Sequence, residues 1–212
     1  MDNLTHYLNL PEEAKILDLA CGKGRHSIFL NSLGFNVTGL DLSKNSIKEA
    51  KTRESSSLHF DVHDMRNLYS TQFEVVLNLF TSFGYFDDQQ DNQKAFDTFS
   101  GGLKDGGILV LDFFNPTYVL ANLVPVETVE REGISFHIKR WSEKGYLYKS
   151  IDFSDQGKSY SFIEKVELVA KNDFISYAAQ AGLSLVDLRG DYNLSAFDES
   201  SSPRMIFVWT KK

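Results

Sequence analysis

A single cysteine in 212 residues excludes an internal disulfide and a cysteine-built metal centre. No apolar run reaches the roughly 18 residues that a membrane span needs. The opening MDNLTHYLNL lacks the basic stretch and apolar core of a secretory signal. Together these absences predict a cytoplasmic protein with no membrane partner. Excess basic charge is missing too: 22 Lys and Arg stand against 29 Asp and Glu, a net charge of −7. Nonspecific nucleic-acid binding needs basic surface to displace counterions, and the densest basic cluster is only HIKRW, His137 to Trp141. Nucleic acid is thus disfavoured, and a small-molecule or protein substrate fits better. Internal repeats, low-complexity tracts and domain linkers are absent as well.

The composition that remains is ordinary for a globular chain, with 42% apolar and 24% charged residues. A chain of this length buries on the order of 70% of its unfolded surface and needs no staples. From Ile16 to about Asn115 short β-rich runs (KILDLA, FNVTGLDLS, LHFDVHD, FEVVLNLF, GGILVLDFF) alternate with helical segments. GRHSIFLNSLG places Ile28, Phe29, Leu30 and Leu33 on one broad face and stops at Gly34. SKNSIKEAKTRE opens on a capping Ser43, and DDQQDNQKAFDTFSGGL begins acidic and ends on Gly101 and Gly102. Such alternation predicts an α/β fold with a doubly wound, Rossmann-like sheet. Residues 117–170 break the pattern: ISFHIKRW, YLYKSIDF and SYSFIEKVELVA alternate around turns at Glu143-Lys144-Gly145 and Ser154-Asp155-Gln156-Gly157. An antiparallel β-meander inserted there, as a substrate cap or dimer surface, divides the chain into 1–116, 117–170 and 171–212. The last part supplies a helix, KNDFISYAAQAGL, and a hairpin, SLVDLRGDY and RMIFVWTKK, that complete the same seven-stranded sheet.

The chemistry concentrates at ILDLACGKGRHS, where a strand runs through Gly22 and Gly24 into a helix. Glycines allow close backbone approach, and a helix N-terminus offers free N–H groups to a carboxylate or phosphate. The second strand ends 23 residues after Asp18 at Asp41, where a carboxylate can accept from both hydroxyls of a ribose. A nicotinamide dinucleotide and S-adenosylmethionine both fit that far. Position 27, however, is Ser27 where the dinucleotide pattern wants glycine, and the third strand ends with Asp64 in reach of an exocyclic amine. The C-terminal hairpin further implies one antiparallel strand. A P-loop is excluded because CGKGRHS has no G-K-[ST] in the required place.

These motifs, in order over nearly the whole chain, resemble the class I S-adenosylmethionine-dependent methyltransferases. The glycine motif matches Asp18, Gly22 and Gly24, the second-strand acid Asp41 in VTGLDLS, and the adenine-side acid Asp64 in HDMRNL. FEVVLNLFTSFGYF and LKDGGILVLDFFNP match the fourth and fifth strands with their turns. The resemblance implies S-adenosylmethionine as cofactor. Asp18, Ala20, Gly22 and Gly24 would line its methionine half, with Cys21 among them as a packing residue rather than a nucleophile. Asp41 would hold the ribose, Leu42 pack on adenine, Asp64 and Met65 contact adenine, and Leu79 and Phe80 lie near the sulfonium. Many family members carry a longer segment ahead of the first strand. Here about 15 residues precede it, leaving three alternatives: a covering meander, a more open site, or a longer native N-terminus.

The expected reaction is methyl transfer to N or O of a small-molecule acceptor; RNA or protein methylation, or cofactor binding without catalysis, are the alternatives. An amine that binds neutral needs no general base, whereas a hydroxyl profits from one, and no residue declares itself in that role. NLFTSFGYF lacks the Asn/Asp-Pro-Pro-Tyr pattern of many nucleobase and glutamine N-methylating members. Phe83, Tyr85 and Phe86 would shape a substrate pocket or fill core. Asn115, Arg140 and Trp141 are further substrate candidates, the last two equally suited to solvent or a second subunit. Lys23, Arg25 and His26 stand at the mouth. His59, Asp61 and His63 alternate on one strand face, which reads as a polar sheet edge rather than a metal site. The meander is also the expected homodimer surface.

Overall fold

The computed structural model describes all 212 residues, the side chain of Gln89 aside. Its main sheet has seven strands in the order β10-β11-β5-β4-β1-β2-β3. In chain order these are β1 (Lys15–Leu19), β2 (Asn36–Asp41), β3 (Leu58–Val62), β4 (Phe73–Asn78), β5 (Leu103–Phe114), β10 (Leu183–Arg189) and β11 (Arg204–Lys211). Only β11 runs against its neighbours, paired antiparallel to both β5 and β10. The central strands are buried on both faces, so their sequences read as near-continuous apolar runs rather than alternating ones.

Two layers of helix cover the sheet. On one face α1 (Asp2–Leu8), α2 (Arg25–Ser32) and α3 (Lys44–Ala50) bury Leu4, Leu30 and Ile47 with Ile16 and Phe60. On the other, α4 (Gln89–Gly101) and α6 (Lys171–Gln180) enclose an aromatic core of Phe83, Phe96, Phe99, Phe174, Phe207 and Trp209. Ser43 caps α3 by accepting from the Ser46 N–H, and Asp88 caps α4 from Gln90. Leu33 departs from its expected place, half-exposed beyond the last turn of α2. Helix α1 has no counterpart in the sequence reading. It packs Leu4 into the core and ties Tyr7 to Asp187 of β10.

After the short α5 (Pro116–Ala121), the insertion forms a four-stranded antiparallel sheet, β6 (Val126–Arg131), β7 (Ile134–Glu143), β8 (Tyr146–Asp155) and β9 (Lys158–Glu167). The sequence showed only three of these. VETVER lies at the edge and is mostly exposed, so it carries no apolar alternation to read. All three hairpins turn on two residues with positive φ, Glu132-Gly133, Lys144-Gly145 and Gln156-Gly157, the backbone that matches strand twist. The meander is fastened to the loop after β4 and to α4: Tyr85 of the loop donates to Glu164 (2.9 Å), Lys165 pairs with Asp87 of the loop (3.1 Å), and Asn92 of α4 donates to Glu167 (2.8 Å). Among the described residues no helix is long and apolar enough to cross a membrane.

Candidate active site

Strand order reverses between β1 and β4, and a cleft of about 630 Å³ opens there at the carboxyl ends of the strands. Its first wall comes from the β1–α2 loop. Ala20, Gly22 and Gly24 all take positive φ, which folds the loop back over the strand ends. A Cβ on Gly24 would lie 2.5 Å from the ring of Phe60, itself fully buried. Glycine at 24 is therefore demanded by helix–strand packing beneath the loop. We predict that Gly24→Ala costs about 2 kcal/mol or more, from the clash and the left-handed backbone together. Thermal unfolding would measure it, and an unchanged melting temperature would refute the packing account.

Asp41, at the end of β2, is oriented by two backbone donors: Gly22 N–H at 2.8 Å and Ser43 N–H at 2.7 Å, one on each carboxylate oxygen. Each oxygen keeps a lone pair for the cleft. Beside it Leu42 is 68% exposed, an apolar side chain offered to the cleft. Across the cleft Asp64 is clamped by Arg66, whose Nη2 lies 2.6 Å from Oδ2 and Nε 3.0 Å from Oδ1. Arg66 also reaches Asp91 on α4 (2.6 Å) and lies over Phe86. That guanidinium holds the Asp64 carboxyl below its ordinary value. Ala20, Met65, Phe80 and Tyr85 complete the lining relevant here.

Phe80 and Thr81 follow β4 in consecutive left-handed conformations, φ 58° and 61°. Asp112 on β5 fixes both, accepting from Phe80 N–H with its carboxylate and from Thr81 N–H with its carbonyl, each at 2.9 Å. Asp112 is 2% exposed and carries Arg204 Nε (2.7 Å) and Tyr192 OH (3.2 Å) as well. Arg204 in turn donates to Thr81 Oγ1 (3.0 Å). The Phe80 ring is thereby stacked between His26 (4.9 Å) and Tyr192 (5.3 Å). Burial, then the neighbouring Arg25, lowers the His26 imidazole to about 4, so it is neutral near pH 7. Burial and Asp112 push the Tyr192 phenol up to about 12.

A second cavity of about 410 Å³ shares Phe80 with this cleft, with Leu4, Leu79, Leu194 and Ile206 in its lining. Asp112, Arg204, Tyr192 and Arg66 were not among the candidates from sequence. For Asp112 a signal existed: a lone carboxylate inside LVLDFF, a run that reads as buried, must have a partner.

Several expected positions are corrected. Asp18 lines neither cavity; it is buried under the loop, where Ser27 Oγ donates to it at 2.6 Å. Cys21 is likewise buried, its thiol pushed up by burial and the nearby carboxylates. Phe83 is wholly inside the aromatic core, not on a pocket wall. Asn115 caps α5 and donates to the carbonyls of Glu199 and Ser202, holding the β10–β11 loop. Arg140 is spent on Glu127 (2.6 Å) and Trp141 is stacked flat on Tyr148 (5.1 Å), and neither lines either cavity. Asp61 pairs with Lys51, and the His63 ring bonds the Asn67 carbonyl.

Burial lifts the Asp18 carboxyl to about 6, partly offset by Ser27. Between roughly pH 4 and 6 the folded chain holds a proton that the unfolded chain has released, so stability falls as pH rises through that window. The full difference is about 3 kcal/mol. In urea unfolding, Asp18→Asn should gain most of that amount, about 2–2.5 kcal/mol, relative to the parent between pH 4 and 7.5. An equal gap at both pH values would exclude the linkage.

The parallel sheet with a single reversed strand, and the carboxylate-walled cleft at its switch point, define a class I methyltransferase architecture. The family model described as "Methyltransferase domain" matches residues 16–107. The chain is 37% identical over 134 residues to the putative methyltransferase YqeM of Bacillus subtilis (strain 168), covering 60% of this chain and 54% of that one. It is 26% identical over 205 residues to dTDP-3-amino-3,4,6-trideoxy-alpha-D-glucopyranose N,N-dimethyltransferase of Streptomyces venezuelae, covering 93% and 83%. A crystal structure of an S-adenosylmethionine-dependent methyltransferase from Clostridium acetobutylicum ATCC 824 superposes with a TM-score of 0.87 at 21% identity, over 99% of this chain and 89% of that chain. The domain match and these likenesses support a class I S-adenosylmethionine-dependent methyltransferase.

Proposed function

We propose that the protein methylates N or O of a small-molecule acceptor, with an amine as the favoured acceptor. The observation that carries this reading is the pair of oriented carboxylates, Asp41 and Asp64, facing one cleft from successive strand ends. Asp41 keeps acceptor capacity after its two backbone bonds, as a ribose diol requires, whereas the Arg66 backbone N–H, Nε and Nη2 occupy both oxygens of Asp64, which offers an adenine edge its negative charge rather than a free lone pair. Bound S-adenosylmethionine supplies a methyl group on a positively charged sulfur. Asp41 would hold the ribose hydroxyls, with Leu42 packed on the purine and Asp64 and Met65 at its edge. Ala20 and the loop carrying Gly22 and Gly24 would face the methionine half, leaving Leu79 and Phe80 nearest the reacting end. The chain's own contribution is then positioning and exclusion of water.

The Streptomyces venezuelae relative is named as an N,N-dimethyltransferase of an amino sugar nucleotide, which supports a small amine acceptor. A neutral amine also suits a site where His26, the histidine stacked on Phe80, is too weak a base near pH 7 to deprotonate a hydroxyl. The rim holds Asp87, Asp88 and Asp91 around Arg66, a charge balance that disfavours a phosphodiester backbone. Calorimetry with S-adenosylmethionine and S-adenosylhomocysteine tests the cofactor, and a labelled-methyl assay over amine and hydroxyl acceptors tests the reaction. No binding sinks the whole reading, while binding without turnover on a broad panel favours a non-catalytic module.

The meander supports a homodimer. Phe136, Phe153, Tyr160 and Phe162 stack across its strands, with Phe162 57% exposed. Lys149 and Glu164 pair on the same sheet and leave no net charge between them to repel a second copy. Light scattering should give a dimer that Phe162→Glu dissociates; a monomeric parent protein overturns this.

A further inference from the structure

We propose that the second cavity is the acceptor pocket and takes a ring-sized, largely apolar molecule whose reacting amine or hydroxyl is uncharged. This rests on the larger cleft being the methyl-donor site. Phe80 is the one residue that lines both cavities. Methyl transfer is a displacement in line, so donor and acceptor must approach the same carbon from opposite sides. Two cavities that meet at Phe80 bring a donor and an acceptor to one point of the surface. The cost of this meeting point supports its importance: Phe80 and Thr81 hold successive left-handed conformations, and Asp112 and Arg204 are spent on keeping them there. Strain of this kind persists only where neighbours over-determine it.

The lining selects the ligand. Leu4, Phe29, Leu79, Leu194 and Ile206 make it mainly apolar, and about 410 Å³ accommodates one or two rings. Asp112 is the buried carboxylate at its edge, and both its oxygens are engaged, Oδ1 by Arg204 and Oδ2 by Phe80 N–H and Tyr192 OH. It leaves no free buried anion to stabilise an ammonium. Asp2 and Arg25, the other ionised side chains in the lining, are exposed at the rim, and Arg25 shares a hydrogen bond with His26 (3.3 Å). A cation would thus be desolvated without a partner, and the neutral form of an amine is preferred.

The test uses the whole chain with labelled leucine and isoleucine methyl groups, followed by NMR. Cyclohexanol is the uncharged probe, cyclohexylammonium its charged counterpart, and S-adenosylhomocysteine the donor-site ligand. Cyclohexanol should shift Leu4, Leu194 and Ile206 at millimolar concentration, and the ammonium should bind about tenfold more weakly or less. S-Adenosylhomocysteine should shift Leu42 and leave Leu4 and Leu194 in place, with both ligands bound together. Leu194→Trp should abolish the cyclohexanol response and keep the Leu42 response, which also shows that the variant is folded. Silence of Leu4, Leu194 and Ile206 toward cyclohexanol overturns the proposal, as does equal binding of the ammonium. So does a shift of Leu4 and Leu194 by S-adenosylhomocysteine, which would make the cavity part of the donor site. If S-adenosylhomocysteine fails to shift Leu42 while cyclohexanol still binds, the donor-site reading has failed instead, and the acceptor assignment falls with it.

Discussion

Asp41→Ala will weaken S-adenosylhomocysteine binding by at least about 100-fold, because two hydrogen bonds to a charged acceptor are each worth about 1.5–3 kcal/mol. The loss has a second source in the free protein. The Asp41 carboxylate is what ties Gly22 of the first loop to Ser43 at the start of α3. Without it the loop loses its anchor at the point where the methionine half would lie. Asp41→Asn separates the two effects. Its one carbonyl oxygen can keep a single backbone donor, so it should fall between parent and alanine. Calorimetry reads the affinities, and thermal unfolding without ligand reads the loop's share. Parent-like affinity in the alanine variant would remove Asp41 from the cofactor site.

Arg204→Met should destabilise the protein by about 3–5 kcal/mol, the usual result of leaving one partner of a buried ion pair alone. Asp112 is 2% exposed, and Arg204 is its only cationic partner by distance, at 2.7 Å. The companion Asp112→Asn in the same chain should recover a good part of that loss, since the orphaned charge is then gone. Urea unfolding of the two single variants and the double variant measures the coupling. A loss under about 1 kcal/mol for Arg204→Met would mean that the pair behaves as a surface bridge. The double variant also bears on function, because the Phe80 N–H would keep only a neutral amide acceptor and the Thr81 hydroxyl would lose its Arg204 donor, while the main-chain bond to Thr81 N–H stays.

The parts of this site legible in sequence are those that local rules control. Gly22, Gly24 and Asp41 sit at the ends of strands whose apolar runs announce them, and the spacing between strand ends is set by one helix. Asp112, Tyr192 and Arg204 meet only in three dimensions, 80 and 92 positions apart. No periodicity encodes such a meeting. Asn115 and Phe83 show the converse error. Both lie at strand ends where ligands bind in this architecture, yet one caps a helix and the other fills the core. Residue type and chain position were right for a pocket, but side-chain direction decided otherwise. The four-stranded meander was readable where its strands alternate and hidden at β6, which is mostly exposed and has no apolar alternation.

Placement of β11 between β5 and β10 has a consequence for biosynthesis. Its residues, Arg204–Lys211, come long after those of β5 in the chain, yet five consecutive ones are buried between two neighbouring strands. While the ribosome is still adding them, β5 presents an open edge, with Leu109, Leu111 and Phe113 on flanks that helices cannot yet fully shield. The hairpins of the meander, joined by two-residue turns, can close as soon as they emerge, but the domain that carries the cleft cannot. The nascent chain therefore carries an unpaired, apolar β5 edge from the completion of Phe114 until Arg204 and the residues after it emerge, a window open to aggregation.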